Sequence, residues 1–376
     1  MIYRKFQDLE LSALGMGAMR LPTLEGDDDR IDVPAAEAMV AYAMEKGVNY
    51  YDTAWGYHGG NSELVMGAAL SKYPREKFYL ASKFPGYDLG NMPRVREIFE
   101  KQLQKCRVDY FDFYLFHNVC EMNIDAYLDD GKYGIYSYLM EQKRQGRIRH
   151  LGFSAHGSAE VIRRFLEAYG KDMEFCQLQL NYVDWTFQGA KEKVDLLREW
   201  GIPVWVMEPL RGGRLASLPR ESEEKLRALR PEEKIPAWAF RFLQSIPEVT
   251  VTLSGMSDLE QLKENIRTWE TDAPLNETEM DTLLRAAEGM MKGILPCTAC
   301  RYCVSHCPME LDIPRLLELY NEHSFTGGGF IAPMALMAIP PEKHPSACVG
   351  CRSCEAVCPQ RIKVSEAMSD FAAKLR

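Results

Sequence analysis

Short apolar segments alternate with segments that carry apolar residues at helical spacing from residue 13 to residue 268. The predicted strands are residues 13–16, 48–51, 78–82, 111–116, 148–153, 175–180, 204–207 and 249–253. The predicted helices that follow them are residues 35–45, 62–71, 95–105, 136–145, 159–168, 190–200, 236–245 and 259–268. Because a helix follows each strand, the pattern indicates right-handed βαβ units and a parallel sheet.

The number of units distinguishes between the two common parallel folds. Eight units over roughly 250 residues match the size of a closed barrel. An open doubly wound sheet is the alternative, but it usually carries a G-x-G-x-x-G turn after its first strand, which this sequence lacks. We therefore predict an α/β fold, a (β/α)8 TIM barrel over residues 1–289. Composition changes abruptly at Pro296, so residues 290–376 are predicted to form a small, mainly helical domain.

Two cysteine runs with the same spacing lie in that second domain. Both have the pattern C-x2-C-x2-C-x3-C-P, and they comprise Cys297, Cys300, Cys303 and Cys307, then Cys348, Cys351, Cys354 and Cys358. Three thiolates at this spacing reach three corners of a cubane, and the fourth reaches the other cluster in two-cluster proteins. The sequence therefore predicts two 4Fe–4S clusters. One takes the first three cysteines of the first run with Cys358, and the other takes the first three of the second run with Cys307.

Structural zinc is the alternative for these cysteines, but zinc sites usually present two separated pairs of ligands. The other three cysteines are scattered. Cys106 and Cys176 lie in apolar patterns and are expected in the core, and Cys120 is expected near the barrel mouth. Each run precedes a predicted helix, at 313–320 and 364–375, and a long loop is expected between these two copies.

Charge and hydropathy exclude several partners. The formal net charge is −9, which argues against nucleic acid or an anionic membrane as the main partner. No apolar run approaches the length of a membrane span, and the first residues do not resemble a signal peptide. A cytoplasmic protein that acts on small molecules is expected.

Three ionisable residues stand at or just beyond the ends of successive predicted strands: Asp52, Lys83 and His117, with Tyr57 after the first of them. The carboxyl ends of barrel strands carry the chemistry of barrel enzymes, so we expect the four side chains to lie together. An ammonium lowers the pKa of a neighbouring phenol, and a carboxylate holds the lysine in place. Such a set protonates a carbonyl oxygen while a hydride reaches its carbon. Each residue alone has a structural explanation, such as capping or packing.

These residues resemble the aldo-keto reductase family. The matching motifs are Asp52-Thr53-Ala54 with Tyr57, Ser82-Lys83, Val108-Asp109-Tyr110 leading to Leu115-Phe116-His117, Gly152-Phe153-Ser154, and Glu208-Pro209-Leu210 with Gly212-Gly213. The resemblance covers about residues 1 to 270. It implies that Tyr57 is the general acid, that Lys83 and Asp52 tune it, and that His117 orients a carbonyl or alcohol substrate.

The resemblance also implies a nicotinamide nucleotide bound without a Rossmann domain. Ser154 and Gln177 are expected to bind the carboxamide, and the loop after Pro209 and Leu210 the pyrophosphate. The segment from Gly255 to Asn265 is expected to hold the adenosine end, with contacts from Gly255 and Gln261 and with Glu264 and Asn265 near the adenine. Met207 and Gly212 complete the expected contacts. Met207 stands where many family members stack an aromatic residue on the nicotinamide.

The loop that usually binds a 2′-phosphate lacks the customary cations. It carries Asp258 and Glu260, which repel phosphate, although Lys263 is within reach. The choice between NADH and NADPH therefore stays open, with NADPH disfavoured.

Other side chains near these motifs carry weaker expectations. Trp55, Tyr182 and Trp185 are expected either to line the substrate pocket or to pack. His58 is the alternative acid, and His156 is expected to be solvated.

The two halves transfer electrons differently, because a nicotinamide gives two as hydride and a cluster passes one. A flavin could mediate between them, although no flavin motif is present. Three hypotheses follow. The clusters exchange electrons with a redox partner protein, or they are structural or redox-sensing, or the chain is an electron carrier whose barrel is idle.

Overall fold

Eight parallel strands close into a barrel in the computed structural model. The strands of the described chain are β1 Tyr3–Phe6, β2 Leu9–Ser12, β3 Leu14–Gly17, β4 Tyr50–Asp52, β5 Tyr79–Phe84, β6 Phe111–Val119, β7 Ile148–Ala155, β8 Cys176–Gln179, β9 Val204–Met207 and β10 Val249–Gly255. The hydrogen-bonded order is β10-β3-β4-β5-β6-β7-β8-β9, so β10 and β3 close the barrel. The predicted (β/α)8 fold is confirmed.

The structure describes residues 1–291, 294–297, 301, 303–358 and 360–376. The chain divides into two units, Met1–Ala287 and Glu288–Arg376. The α-helices are α1 Val33–Glu45, α2 Ser62–Leu70, α3 Val95–Cys106, α4 Ile124–Leu128, α5 Asp130–Tyr133, α6 Ile135–Arg144, α7 Ala159–Tyr169, α8 Asp184–Phe187, α9 Ala190–Glu199, α10 Arg220–Leu229, α11 Ile235–Gln244, α12 Leu259–Thr268, α13 Glu277–Met290, α14 Ile313–Thr326, α15 Ile331–Leu336, α16 Ser353–Ala356 and α17 Val364–Lys374. None of these helices is both long and apolar enough to cross a membrane.

Helix α7 illustrates how the sequence determines the outer layer. The Ser158 hydroxyl accepts a hydrogen bond from the Val161 amide and so caps the first turn. Val161, Phe165 and Tyr169 recur at four-residue spacing and are buried, while the opposite face is charged. The barrel strands are instead buried on both faces, which explains their continuous apolar runs.

The antiparallel hairpin β1–β2 was not predicted. Its register places Phe6 opposite Leu9. The Phe6 ring packs inside the barrel against Trp205 and Phe113, with ring centroids 5.0 and 5.8 Å apart. Two four-residue strands are too short for alternation to identify them, so the sequence did not reveal this plug.

The second unit is built from α14, α15, α16 and α17 around a small apolar core that includes Leu316, Met368 and Phe371. Helix α14 extends to Thr326, beyond the predicted end, and Gly327 caps it with φ +64°. The long loop expected between the cysteine runs contains α15, so that expectation was wrong there. A six-residue helix shows no clear periodicity, which is why the sequence concealed it.

Candidate functional site

A buried ion pair lies at the carboxyl ends of β4 and β5. Lys83 Nζ donates to Asp52 Oδ1 at 2.6 Å and to the Thr53 carbonyl at 2.9 Å. Both charged side chains are almost wholly buried. Burial lowers the pKa of Lys83 and raises that of Asp52, while the attraction between the two opposes both shifts.

Tyr57 and His117 lie beside this pair. The Tyr57 hydroxyl is 3.4 Å from Lys83 Nζ, and the rings of Tyr57 and His117 meet edge to face at 6.1 Å. Tyr57 begins the turn Tyr57–Gly60, and His117 lies near the end of β6. The structure thus brings together the four side chains that the sequence predicted at one rim.

The Tyr57 phenol holds its proton at neutral pH. Burial raises its pKa well above the ordinary value, and the carboxylates of Asp52 and Glu208 raise it further. The net shift is opposite to the lowering that the sequence predicted beside an ammonium, because burial has the largest effect. A protonated phenol is the form that a general acid requires.

His117 is neutral and has an unused ring nitrogen. Burial lowers its pKa well below the ordinary value, and the charges of Lys83 and His156 act in the same direction. Its Nδ1 is buried and has no hydrogen-bond partner in the described part of the chain. A neutral imidazole donates one N–H, which suits it to bind a carbonyl oxygen.

A polar network behind Lys83 was missed by sequence reasoning. Glu63 is completely buried, and its Oε1 accepts from Ser82 Oγ at 2.8 Å and from Gln102 Nε2 at 2.7 Å. Its Oε2 accepts from Lys105 Nζ at 2.8 Å. Gln102 also donates to the Lys83 carbonyl at 3.0 Å, so the network fixes the backbone that carries the lysine. Acidic residues are common in the first turn of a helix, so the sequence did not mark Glu63 as buried.

Tyr87 is a second missed residue at this mouth. It is half-buried, and its ring meets His117 edge to face at 5.1 Å. A Cβ on Gly56 would lie 2.3 Å from the Tyr87 hydroxyl, so the glycine leaves room for it. Burial and the neighbouring Tyr57 raise the pKa of Tyr87 to about 12.

Two further histidines, His58 and His156, lie in surroundings that the sequence did not predict. The Leu21 amide donates to His58 Nε2 at 3.2 Å, and His58 Nδ1 lies 2.6 Å from the Asp28 carbonyl, so both nitrogens are engaged in structure. His156 is not freely solvated, which corrects that prediction. Burial lowers its pKa to about 4, with Lys193 contributing.

The three aromatic candidates mostly pack. Tyr182 is buried and lies 6.3 Å from the Phe242 ring, and Trp185 lies 5.6 Å from the same ring. Trp55 is half-buried, and Lys105 Nζ lies 4.7 Å from the centre of its ring.

The residues expected at the nicotinamide lie on adjacent strands. Ser154 and Gln177 are register partners, and both are buried. Ser154 Oγ accepts a hydrogen bond from the backbone N–H of Asn118 at 2.8 Å, and Gln177 Nε2 lies 3.7 Å from Met207 Sδ. Gln177 Oε1 is buried and has no partner in the described chain, as expected of a group that binds a ligand amide.

The loop after β9 is tightly held. Pro209 is buried and Leu210 is half-buried. Gly212, at φ +65°, leaves the loop without a side chain at that point. Arg211 is buried and donates to both oxygens of the buried Asp184, at 3.0 and 3.2 Å. Sequence reasoning missed this ion pair, because its members lie on different elements, α8 and the turn after β9.

Several polar side chains of the segment from Gly255 to Asn265 have partners within the protein. Gln261 donates through its amide to Asp258 Oδ1 at 2.8 Å and through Nε2 to Oδ2 at 2.8 Å. Asn265 donates to Ser254 Oγ at 3.1 Å. Glu264 forms an ion pair with Lys234.

The cysteines of the second unit line two separate cavities of similar size. The first is lined by Cys297, Cys303 and Cys358. The second is lined by Cys307, Cys348, Cys351 and Cys354. Cys300 lies outside the described residues. Each run thus contributes its fourth cysteine to the cavity of the other run.

The surroundings of these cavities suit a cluster. Apart from a few polar groups, both are lined by apolar side chains such as Leu317 and Met368. Sulfur ligands within an apolar shell are typical of 4Fe–4S sites. In the barrel, Cys106, Cys120 and Cys176 are buried, as expected for the first and last.

Comparisons with known proteins agree with this arrangement. The protein-family model described as "Aldo/keto reductase family" matches residues 13–288. The family model described as "4Fe-4S dicluster domain" matches residues 296–363. The solved structure of the aldo-keto reductase AKR11C1 from Bacillus halodurans in its holo form has 26% sequence identity and a TM-score of 0.63. That match covers 76% of this chain and 96% of the other.

Two curated relatives are similar over the barrel. "Probable aldo-keto reductase 1" from Glycine max is 30% identical over 218 residues, which are 55% of this chain and 58%, less than two thirds, of that protein. "NADH-specific methylglyoxal reductase" from Escherichia coli (strain K12) is 27% identical over 308 residues, with 69% of this chain and 90% of that protein covered. Because the family model covers most of its length, this chain belongs to the aldo/keto reductase family of oxidoreductases, and a 4Fe–4S dicluster domain follows its barrel.

Proposed function

We propose that the barrel catalyses reversible hydride transfer between a nicotinamide nucleotide and a small carbonyl or alcohol substrate. The observation that carries this proposal is the contact of Tyr57, Lys83, Asp52 and His117 at the carboxyl ends of the strands. The nucleotide, when bound, supplies or accepts the hydride.

The protein's own residues handle the proton. The Tyr57 O–H bond breaks as its proton passes to the carbonyl oxygen, and the phenolate that forms is stabilised by Lys83 at 3.4 Å. His117, as a neutral donor, orients the carbonyl oxygen. Asp52 keeps Lys83 in position, and the Glu63 network fixes its backbone.

The nucleotide would be held by the groups on β7, β8 and the loops after β9 and β10. Ser154 and Gln177 would bind the carboxamide, and the loop from Pro209 to Gly212 the pyrophosphate. Gln177 Oε1, buried without a partner among the described residues, supports the first assignment.

NADH is the nucleotide that the adenosine end favours. Asp258 caps α12 with its carboxylate, and Lys263 is paired with Glu260 at 2.6 Å. Lys234 is paired with Glu264. A 2′-phosphate would therefore meet a carboxylate at the start of α12. Lys234 and Lys263 are both already paired with glutamates. The name of the Escherichia coli relative, an NADH-specific reductase, agrees with this choice.

The second unit would hold two 4Fe–4S clusters. Cys297, Cys300, Cys303 and Cys358 would bind one, and Cys307, Cys348, Cys351 and Cys354 the other. Such clusters carry single electrons, and we propose that they exchange them with a partner protein. A flavin is the mediator to test for if nucleotide and clusters are coupled.

Anaerobic purification provides the test. Iron and sulfide counting should give about eight of each per chain, and NADH should be oxidised when small aldehydes or ketones are added. A flavin assay and a spectrum of the clusters after NADH addition belong to the same sample. Protein that contains its clusters but neither binds nor oxidises NADH would contradict the proposal.

A further inference from the structure

Arg20 lies at the barrel mouth beside the loop after β9, which contains Gly212 and Gly213. It ends the short helical turn Ala18–Arg20 after β3. A Cβ on Gly255 would lie 3.1–3.2 Å from Arg20 Cβ, Cγ and Cδ, and a Cβ on Gly212 would lie 3.2 Å from Arg20 Nη2. The side chain therefore runs from the end of β10 to the loop after β9, and a Cβ at either glycine would crowd it.

The partner of this guanidinium holds it weakly. Arg20 Nη2 lies 3.7 Å from Glu208 Oε1, and the Arg20 side chain is 45% exposed. Water screens such a pair, and the distance exceeds that of a charge-assisted hydrogen bond. Glu208 is better shielded, with 18% of its side chain exposed. An anion with several oxygen atoms would compete successfully for Arg20, because it can accept two N–H groups at once.

The loop after β9, beside Arg20, contains two non-glycine residues with strained backbone. Glu208 and Arg211 adopt φ of +57° and +47°, which side chains with a Cβ rarely adopt. The buried Arg211–Asp184 pair holds one of these residues, and Asn181 Nδ2 donates to the Glu208 carbonyl at 3.0 Å. Strain of this kind persists only where surrounding contacts enforce it, and it concentrates at functional sites.

The same loop contains two consecutive glycines, which carry no side chains. Gly212 and Gly213 have φ of +65° and +91°, and Gly212 places no Cβ beside the Arg20 guanidinium, while a Cβ on Gly213 would meet open space. The amides of Arg211 and Gly213 donate to the carbonyls of Glu208 and Leu210, at 3.0 and 2.9 Å, so the loop is a self-bonded turn that holds its shape without a ligand. A rigid glycine turn therefore lies directly beside a weakly held cation.

We propose that Arg20 binds the diphosphate of the nicotinamide nucleotide and that Glu208 holds Arg20 when no nucleotide is bound. Nucleotide binding then exchanges the Glu208 carboxylate for diphosphate oxygens on the same guanidinium. This inference rests on the proposed function, because it assumes that the barrel binds such a nucleotide. It assigns to the loop after β3 a charge that the adenosine end does not provide.

Binding titrations with NADH and with ADP test this exchange. Arg20→Gln should weaken binding of both by about tenfold or more, because each loses a charge-assisted contact to the diphosphate. Glu208→Gln should tighten both by about threefold, because it removes the competitor for Arg20. Arg20→Lys should restore part of the affinity. Arg30→Gln, which breaks a similar surface pair with Glu25, is the control and should change nothing.

The outcomes separate this inference from the function on which it rests. If wild-type protein binds neither NADH nor ADP, the proposed function fails. If wild-type protein binds NADH and Arg20→Gln binds both ligands equally well, only the role of Arg20 is overturned. A rise in KM for the carbonyl substrate, with nucleotide affinity unchanged, would also overturn it, since Arg20 would then contact the substrate. Thermal melting confirms that each variant is folded.

Discussion

The barrel mouth and the cysteine module place their reactive side chains by different means. In the barrel, Lys83 is bonded to Asp52 and supported through Gln102, so protein contacts alone assemble the site. In the module, cysteines line two cavities around a small core. We therefore expect the barrel to fold without a cofactor, and we expect the module to depend on bound clusters for its stability.

Removing iron should separate the two units most clearly. We expect anaerobic chelation, or Cys303→Ser combined with Cys351→Ser, to abolish hydrogen-exchange protection across α14 and α17. Amides of the barrel strands serve as the internal control and should stay protected. Equal protection of the module with and without iron would show that its core suffices and would break the comparison.

Breaking the buried ion pair should have the next largest effect. Lys83→Met leaves the Asp52 carboxylate buried without its cation, and we expect a loss of about 3–5 kcal/mol in the free energy of unfolding. Adding Asp52→Asn should recover most of that stability while activity stays lost. Urea denaturation of both variants measures this. Equal destabilisation of the single and double variants would contradict the view that the unpaired charge causes the loss.

Acid should weaken the barrel through His156. Its folded pKa of about 4 lies below the ordinary value of 6.5, so between these pH values the folded state binds fewer protons than the unfolded state. Stability should therefore fall as pH falls from 6.5 to 4, by about 3 kcal/mol for this group. His156→Gln should reduce the slope of unfolding free energy against pH in that range, and the remainder belongs to His117, whose pKa is also lowered. An unchanged profile in the variant would place the effect elsewhere.

Asp258→Ser offers the smallest and most specific change. Serine still caps α12 but removes the carboxylate, so affinity for NADPH should rise by about five- to tenfold while affinity for NADH changes little. Competitive titration of the two nucleotides measures the ratio. A wild-type preference for NADPH would contradict the assignment of NADH.

The barrel could be predicted from sequence because its strands are buried on both faces. Runs such as Phe111-Asp112-Phe113-Tyr114-Leu115-Phe116 then differ clearly from the amphipathic helices between them. The polar residues at strand ends stood out against these runs, which is why the positions of Lys83 and His117 could be inferred.

The groups that support the site could not be inferred in this way. Glu63 and Asp184 are buried with partners that include Gln102 and Arg211, which are distant from them in sequence. His156 looked solvated because local sequence does not show what packs above a strand end. The hairpin that plugs the barrel is too short for any periodicity to identify.

The rate of carbonyl reduction by Tyr57→Phe tests the central claim most directly. The variant keeps the ring that packs on His117 and loses only the acidic proton. Turnover of NADH with small aldehydes should fall by about 10²–10⁴-fold, with nucleotide affinity unchanged. Tyr73→Phe, in the turn before β5, is the matched control and should retain full activity. Equal turnover by Tyr57→Phe and wild-type protein would contradict the assignment of Tyr57 as the proton donor.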